Sequence, residues 1–173
     1  MNIGSPPQDY EAAAAQDDTL DLRVWLRLLS CTNMIEAEIR RRLRREFGVT
    51  LPWFDAVAQL YRETDGLTMS ALSRRLMVTN GNATSVVDRL VAAGHATRKP
   101  EPHDQRVQRV RLTRKGMAAF ERMHPAHRRW VSELMGGTDQ RDLGRLHGLL
   151  ATLKGSIAQS LESVSSNAES RPT

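Results

Sequence analysis

The sequence predicts a mainly α-helical fold with a small β-hairpin wing, a winged helix-turn-helix lobe attached to a helical dimerisation region. Three observations carry that expectation. Six segments repeat apolar residues at the three- and four-residue steps of one helix face. One stretch alternates with period two around a Pro/Asp tip. The charge, finally, is unevenly placed. Between Thr68 and Gly116 stand ten basic and three acidic residues, a local charge of +7, while the rest of the chain carries −2. A basic middle between near-neutral arms is the footprint of polyanion binding, although a solvated charged face gives the same count.

The elements follow in order. Residues 1–18 are rich in Ala, Pro and acidic residues and read as a mobile tail. A long helix begins after Thr19, with Leu22, Trp25, Leu26 and Leu29 followed by Ile35, Ile39, Leu43 and Phe47 on one stripe, and Gly48 as its stop signal. Arginines 40, 41, 42, 44 and 45 crowd its C-terminal end, where the helix dipole favours cations without any partner. Pro52 suits the first turn of a second helix carrying Phe54, Val57, Leu60 and Tyr61, broken at Asp65-Gly66. Thr68 caps a third helix containing Ala71, Leu72 and Leu76. A short turn leads to a fourth helix over roughly Asn80 to Ala93, ended by Gly94. Asn80-Gly81-Asn82 alone would also suit a tight turn, but its flanks are patterned as a helix. The stretch ATRKPEPHDQRVQRVRLT reads as a two-stranded hairpin. Thr113 opens a fifth helix ended by Gly136-Gly137, and Thr138 a sixth, whose narrow stripe from Leu143 to Leu161 suits packing on a partner helix. The expected organisation is a lobe over 51–112, a dimerisation region over 19–50 and 113–161, and a mobile tail over 162–173.

Composition removes several classes. With 173 residues and 40% hydrophobic content the chain suits one domain, or one domain with a helical extension. No apolar run approaches the ~20 residues of a membrane span. The single cysteine, Cys31, precludes an internal disulfide framework. No secretory signal is visible, so a cytoplasmic protein is expected. There is no Gly-rich phosphate loop, HExxH or Gly-x-Ser-x-Gly, so neither an enzyme nor a bound cofactor is expected.

Helix, short turn, helix and basic hairpin together suit double-stranded DNA. The major groove admits a helix and presents a distinct pattern of groups for each base pair, while a hairpin reaches the neighbouring groove or backbone. The segments VVDRLVAAG at Val86–Gly94, DQR at Asp104–Arg106 and VRLTRKG at Val110–Gly116 also resemble the MarR family of bacterial transcription regulators, and the likeness extends over about Leu20 to Leu161. Further, RLMVTNGN resembles a branch associated with degradation of aromatic acids and hydroxycinnamates. The resemblance implies a homodimer on a pseudo-palindromic operator, with recognition helices about 34 Å apart. It places Arg106 at the wing tip facing the minor groove, with Asp104 orienting it and pairing with Arg89. It places Thr79, Asn80, Asn82, Ala83, Thr84 and Ser85 at the bases and phosphates, and Thr68, Ser70 and Arg74 at the backbone. Gln105 departs from a position often basic in the family.

Family effectors bind where dimerisation helices meet the lobe. Here the resemblance implies apolar walls from Trp25, Leu29, Trp53, Phe54, Val57 and Met77. Arg23, Arg27, Ser30 or Arg62 would hold the carboxylate of a small aromatic acid such as a hydroxybenzoate. Alternatives are a hydroxycinnamoyl-CoA thioester, oxidation of Cys31, which its mid-helix position predicts to be buried, and a metal held by Glu121, His124 and His127. An architectural DNA binder with no effector is the remaining reading.

Overall fold

The computed structural model describes residues 19–101 and 103–169. The chain folds as α1 (Leu20–Phe47), α2 (Leu51–Tyr61), β1 (Leu67–Thr68), α3 (Met69–Leu76), α4 (Asn80–Ala92), β2 (Ala96–Pro100), β3 (Gln108–Leu112), α5 (Arg114–Met135) and α6 (Gln140–Glu169). The winged helix-turn-helix order expected from the patterning is therefore present. The strands form an antiparallel sheet of order β1-β3-β2, with Val110 paired to Leu67 on one side and Arg98 on the other. The hairpin reading missed β1, because two residues are too few to show alternation and Thr68 also serves as the cap of α3.

Punctuation in the sequence is honoured locally. Gly48 ends α1 in the left-handed region at φ 67°, its N–H donating to the Arg44 carbonyl. The Thr50 hydroxyl accepts the Trp53 N–H at the start of α2, one residue before Leu51 and Pro52. Gly66 serves twice. It takes φ 74°, and a Cβ there would lie 2.2 Å from the Val110 carbonyl oxygen, so the Asp65-Gly66 turn packs directly under β3.

One core joins these pieces. Leu43 of α1, Val57 and Leu60 of α2, Leu72 of α3, Val87 and Leu90 of α4, Val110 of β3 and Trp130 of α5 are almost wholly removed from solvent. Each such side chain contributes roughly 1.5–3 kcal/mol through burial. The expected partition between lobe and dimerisation region is accordingly shifted. The second half of α1 and α5 as far as Val131 belong to the same compact unit as the lobe, and a second unit begins at Ser132. The cause is burial of Ile39, Leu43, Ala119, Phe120, Met123 and Trp130 in that common core.

Within the second unit, α6 is capped by Asp139, whose Oδ1 accepts the Asp142 N–H at 2.8 Å, rather than opening at Thr138. It continues to Glu169, so the mobile tail expected from residue 162 is helical up to that point; no proline or glycine intervenes to stop it. The expectations for residues 1–18 and 170–173 lie outside the described residues.

The junction between α4 and α5 explains the LTRKG segment. Thr113 Oγ1 donates to the Gly94 carbonyl at 2.7 Å and accepts the Gly116 N–H at 3.1 Å. Thr113 N–H donates to the His95 carbonyl, and Lys115 Nζ to that of Ala93 at 2.8 Å. A Cβ at residue 116 would sit 2.1 Å from the His95 carbonyl oxygen. Gly116→Ala should therefore cost about 1–3 kcal/mol, as forced overpacking does, measured by urea unfolding. An unchanged midpoint would contradict this close approach.

Candidate nucleic-acid interface

The helix-turn-helix is set by two threonine caps. Thr68 Oγ1 accepts the Ala71 N–H at 3.2 Å, and Thr79 Oγ1 the Asn82 N–H at 3.3 Å. Between the helices Met77 adopts the left-handed conformation at φ 53°, a strained setting for a side chain with a Cβ. The buried Ser73 hydroxyl contacts Asn80 Oδ1 at 2.5 Å, fastening α3 to the start of α4.

These bonds sort the residues expected at the DNA. Ala83 is wholly buried and is removed from the interface, because 83, 87 and 90 form the inward stripe of α4. The Thr84 hydroxyl donates to the Asn80 carbonyl. Thr68 and Thr79 act as caps, and the Asn80 side-chain oxygen is committed to Ser73. Gly81, Asn82, Ser85, Asp88 and Arg89 form the outward face of α4, while Ser70 and Arg74 are exposed on α3.

The basic residues divide just as sharply. Arg75 pairs with Glu63 at 2.6 Å and Arg98 with Asp88 at 2.8 Å. Arg109 pairs with Glu101 and donates to the Gly66 carbonyl at 2.9 Å, and Arg111 donates to that of Asp65 at 2.7 Å. With Lys115 on Ala93, half of the ten cations hold the lobe together. Among the described residues Arg74, Arg89, Lys99, Arg106 and Arg114 have no ion pair or side-chain hydrogen bond.

The wing tip corrects one detail. Asp104 does not pair with Arg89. Its Oδ1 accepts the Arg106 backbone N–H at 3.0 Å, and its carbonyl accepts the Val107 N–H at 3.0 Å, closing a turn that displays Arg106 and Gln105 to solvent. Asp104 thus orients Arg106 through the backbone.

Two cavities flank α4. The first, of about 440 Å³, is lined by Phe47, Trp53, Val86 and Met123 with Arg89, His95 and Arg122. The second, of about 370 Å³, is bordered by Glu36, Arg40, Asp55, Asn82 and Ser85. Burial, with a smaller push from Glu36 against the pull of Arg40, raises the Asp55 pKa from 3.8 to about 6.

Of the residues expected to form an effector slot, Trp53 alone lines the first cavity. Phe54 and Val57 belong to the core, Met77 is 92% exposed, and Trp25 is 57% exposed on the first half of α1. Arg23, Arg27 and Arg62 are exposed, Leu29 half-buried and Ser30 buried. Cys31 is exposed rather than buried. His127 stacks on Phe54, His124 on Phe120, and Glu121 accepts the Tyr61 hydroxyl. No group of three His, Cys, Asp or Glu side chains is placed to hold a metal among the described residues. His95, Arg122 and Asp55 were missed as site residues. They come from separate elements, and no linear spacing announces their meeting.

The MarR family model matches residues 47–107. Transcriptional activatory protein BadR from Rhodopseudomonas palustris is 30% identical over 145 residues, covering 80% of this chain and 82% of that protein. The crystal structure of a MarR family transcriptional regulator from Silicibacter pomeroyi superposes with TM-score 0.70 at 30% identity, over 83% of this chain and 99% of that one. Sco3205, a MarR family regulator from Streptomyces coelicolor solved in complex with DNA, shares the fold with TM-score 0.72 at 21% identity, over 81% and 93% of the two chains.

Asp55 makes a pH prediction. The folded protein keeps this carboxyl neutral up to about pH 6, whereas the unfolded chain ionises it near 3.8, so its contribution to stability falls as pH rises between those values. Asp55→Asn should raise stability at pH 7.5 by about 1–2 kcal/mol after allowance for partial solvent screening. Urea titrations should show the gain shrinking towards pH 4. An equal gain at both pH values would contradict the burial argument.

Proposed function

The chain belongs to the MarR family of DNA-binding transcription regulators, and on that premise we propose that it is a homodimeric repressor released from its operator by a small aromatic acid. One observation carries the DNA part of this reading. The cations left without partners include Arg74 on α3, Arg89 on α4, and Lys99 and Arg106 on the wing, beside the outward face of α4. In the proposed complex Asn82 and Ser85 meet base edges and Arg106 enters the minor groove. Arg74 and the first turns of α3 and α4, with Ser70 on α3, meet phosphates. Pairing of two copies is supported by apolar side chains that each unit leaves in solvent, Leu20, Val24, Trp25 and Met34 on α1 and Leu146, Leu149, Ile157 and Leu161 on α6.

Release follows from differential binding. An effector that favours a separation of the two recognition helices unsuited to the operator weakens binding only by its affinity difference between the two states. A 30-fold loss needs about 2 kcal/mol of coupling. The aromatic-acid reading is supported by the cavity that places arginines at an apolar, Trp-lined space. A second reading is favoured by the relative described as an activatory protein: the same DNA binding with activation instead of repression. Transcription from the operator-bearing promoter in vitro separates the two signs.

Arg106 and Arg109 test the partition of cations. Arg106→Ala should weaken operator binding about tenfold or more, read by fluorescence anisotropy, with an unchanged melting temperature. Arg109→Ala should lower the melting temperature, because Glu101 and the Gly66 carbonyl lose their partner. Wild-type operator affinity in the Arg106 variant would contradict the wing assignment.

A further inference from the structure

Ser73 is a buried polar side chain on α3, 5% exposed, and it holds both sides of the turn that leads to the recognition helix α4. Its carbonyl accepts the Val78 N–H at 3.2 Å, and its hydroxyl meets Asn80 Oδ1 at 2.5 Å. The Ser70 carbonyl stands 3.1 Å from the same hydroxyl. A hydroxyl has one proton to give. The shorter contact claims it, so Ser73 donates and Asn80 Oδ1 accepts. The turn between the two residues is tightly set, because Met77 takes φ 53° and gives its N–H to the Arg74 carbonyl. Asn80 itself is exposed at the first residue of α4. Its amide therefore reaches solvent with its orientation already chosen. The oxygen faces Ser73, and the nitrogen, with its N–H groups, is left without a partner among the described residues.

We propose that Ser73 is a positioning residue for DNA binding, fixing the Asn80 amide so that its Nδ2 donates to a backbone phosphate of the operator. An asparagine that reads adenine must accept from N6 and donate to N7 at once. With Oδ1 engaged by Ser73, Asn80 cannot make that paired contact. It is a donor only, and a phosphate oxygen, which only accepts, is its complement. The clasp also holds the Asn80 side chain against α3, where Ser70 and Arg74 are exposed, and apart from the outward face formed by Asn82, Ser85 and Arg89. Two asparagines two residues apart thus take different work. The Asn82 side chain makes no hydrogen bond among the described residues, so both ends of its amide are available to a base edge. Asn80 serves the backbone. Ser73 then contributes to DNA affinity without touching DNA, by sparing the complex the cost of orienting a freely rotating amide. This inference rests on the DNA-binding face proposed above and adds the device that orients one contact on it.

Operator binding by the full-length protein, read by fluorescence anisotropy beside thermal melting, tests this through a double-mutant cycle. Asn80→Ala should weaken binding about tenfold, by the same factor on operators with single base-pair changes. Its salt dependence should keep the wild-type slope, since no cation is lost. Asn80→Asp should weaken binding further, because a carboxylate then faces phosphate. The clasp survives in that variant, so adding Ser73→Ala should lower its melting temperature as it does that of the wild type. In operator binding, Ser73→Ala should cost several-fold in the wild type and nothing more in the Asn80→Ala background. A serine with a structural role alone would cost the same affinity in both backgrounds, and that result would overturn the proposal. So would wild-type affinity in Asn80→Ala, a loss that depends on one base pair, or a melting temperature of the Asn80→Asp variant indifferent to Ser73. Arg106→Ala separates the two levels. Weakened binding there beside wild-type affinity in Asn80→Ala overturns this inference alone. Wild-type affinity in both overturns the DNA-binding face together with it.

Discussion

The arrangement of recognition helix and wing depends on one hydrogen-bonded junction. At the end of α4 the chain turns at Gly94, and the carbonyls of Ala93, Gly94 and His95 are taken up by Lys115 Nζ, Thr113 Oγ1 and the Thr113 N–H. The Ala93 carbonyl is one that a helix end leaves without an internal partner, and those of Gly94 and His95 follow it in the turn. Supplying them from the segment that opens α5 fixes three elements at once: α4, the β2–β3 hairpin that begins and ends there, and α5. Gly116 lets the two backbones approach within a distance that no Cβ tolerates. The same junction pins His95 by its backbone on both sides, so the geometry of the adjoining cavity inherits its rigidity.

A second constraint is the economy of charge. The local excess of +7 suggested a broad basic surface, yet half of the cations between Thr68 and Gly116 are consumed by the lobe itself. Arg109 and Arg111 reach the carbonyls at Asp65 and Gly66 that the tight turn leaves unpaired, and Arg98 ties the wing to Asp88 on α4. Hydrogen bonds to charged groups are worth more than neutral ones, and these tie the three-stranded sheet to the turn before β1 and to α4. What is left without such partners among the described residues is a sparser set: Arg74, Arg89, Lys99, Arg106 and Arg114. The sign and location of the field were legible in composition; which charges are spoken for was not, because the partners are backbone carbonyls that carry no sequence signature.

The same distinction explains how much else the sequence disclosed. Helix stripes such as Ile39-Leu43 and Val87-Leu90, and stops such as Gly48, Gly66 and Gly94, act within a few residues and were read correctly. Ala83 stands at the start of the recognition helix, where sequence position suggests a DNA contact, but its place on the inward stripe buries it. β1 was too short to carry a period, and α6 outran its apolar pattern because nothing in 162–169 breaks a helix. The effector slot was the least legible part. Trp53 is legible as a lining residue, but its companions Phe47, Arg89, His95 and Arg122 come from the end of α1, from α4, from the turn after it, and from α5. Only the fold makes them neighbours.

In the proposed complex the cations without internal partners, and not the basic segment as a whole, face DNA. The crystal structure of the full-length protein bound to a fragment of its own upstream DNA tests this most directly. Two copies are expected, with α4 in successive major grooves and Arg106 in the flanking minor groove. Arg109 and Arg111 should still hold the carbonyls of Gly66 and Asp65. A complex in which Arg109 and Arg111 leave those carbonyls for phosphates while Arg106 stays in solvent would contradict it.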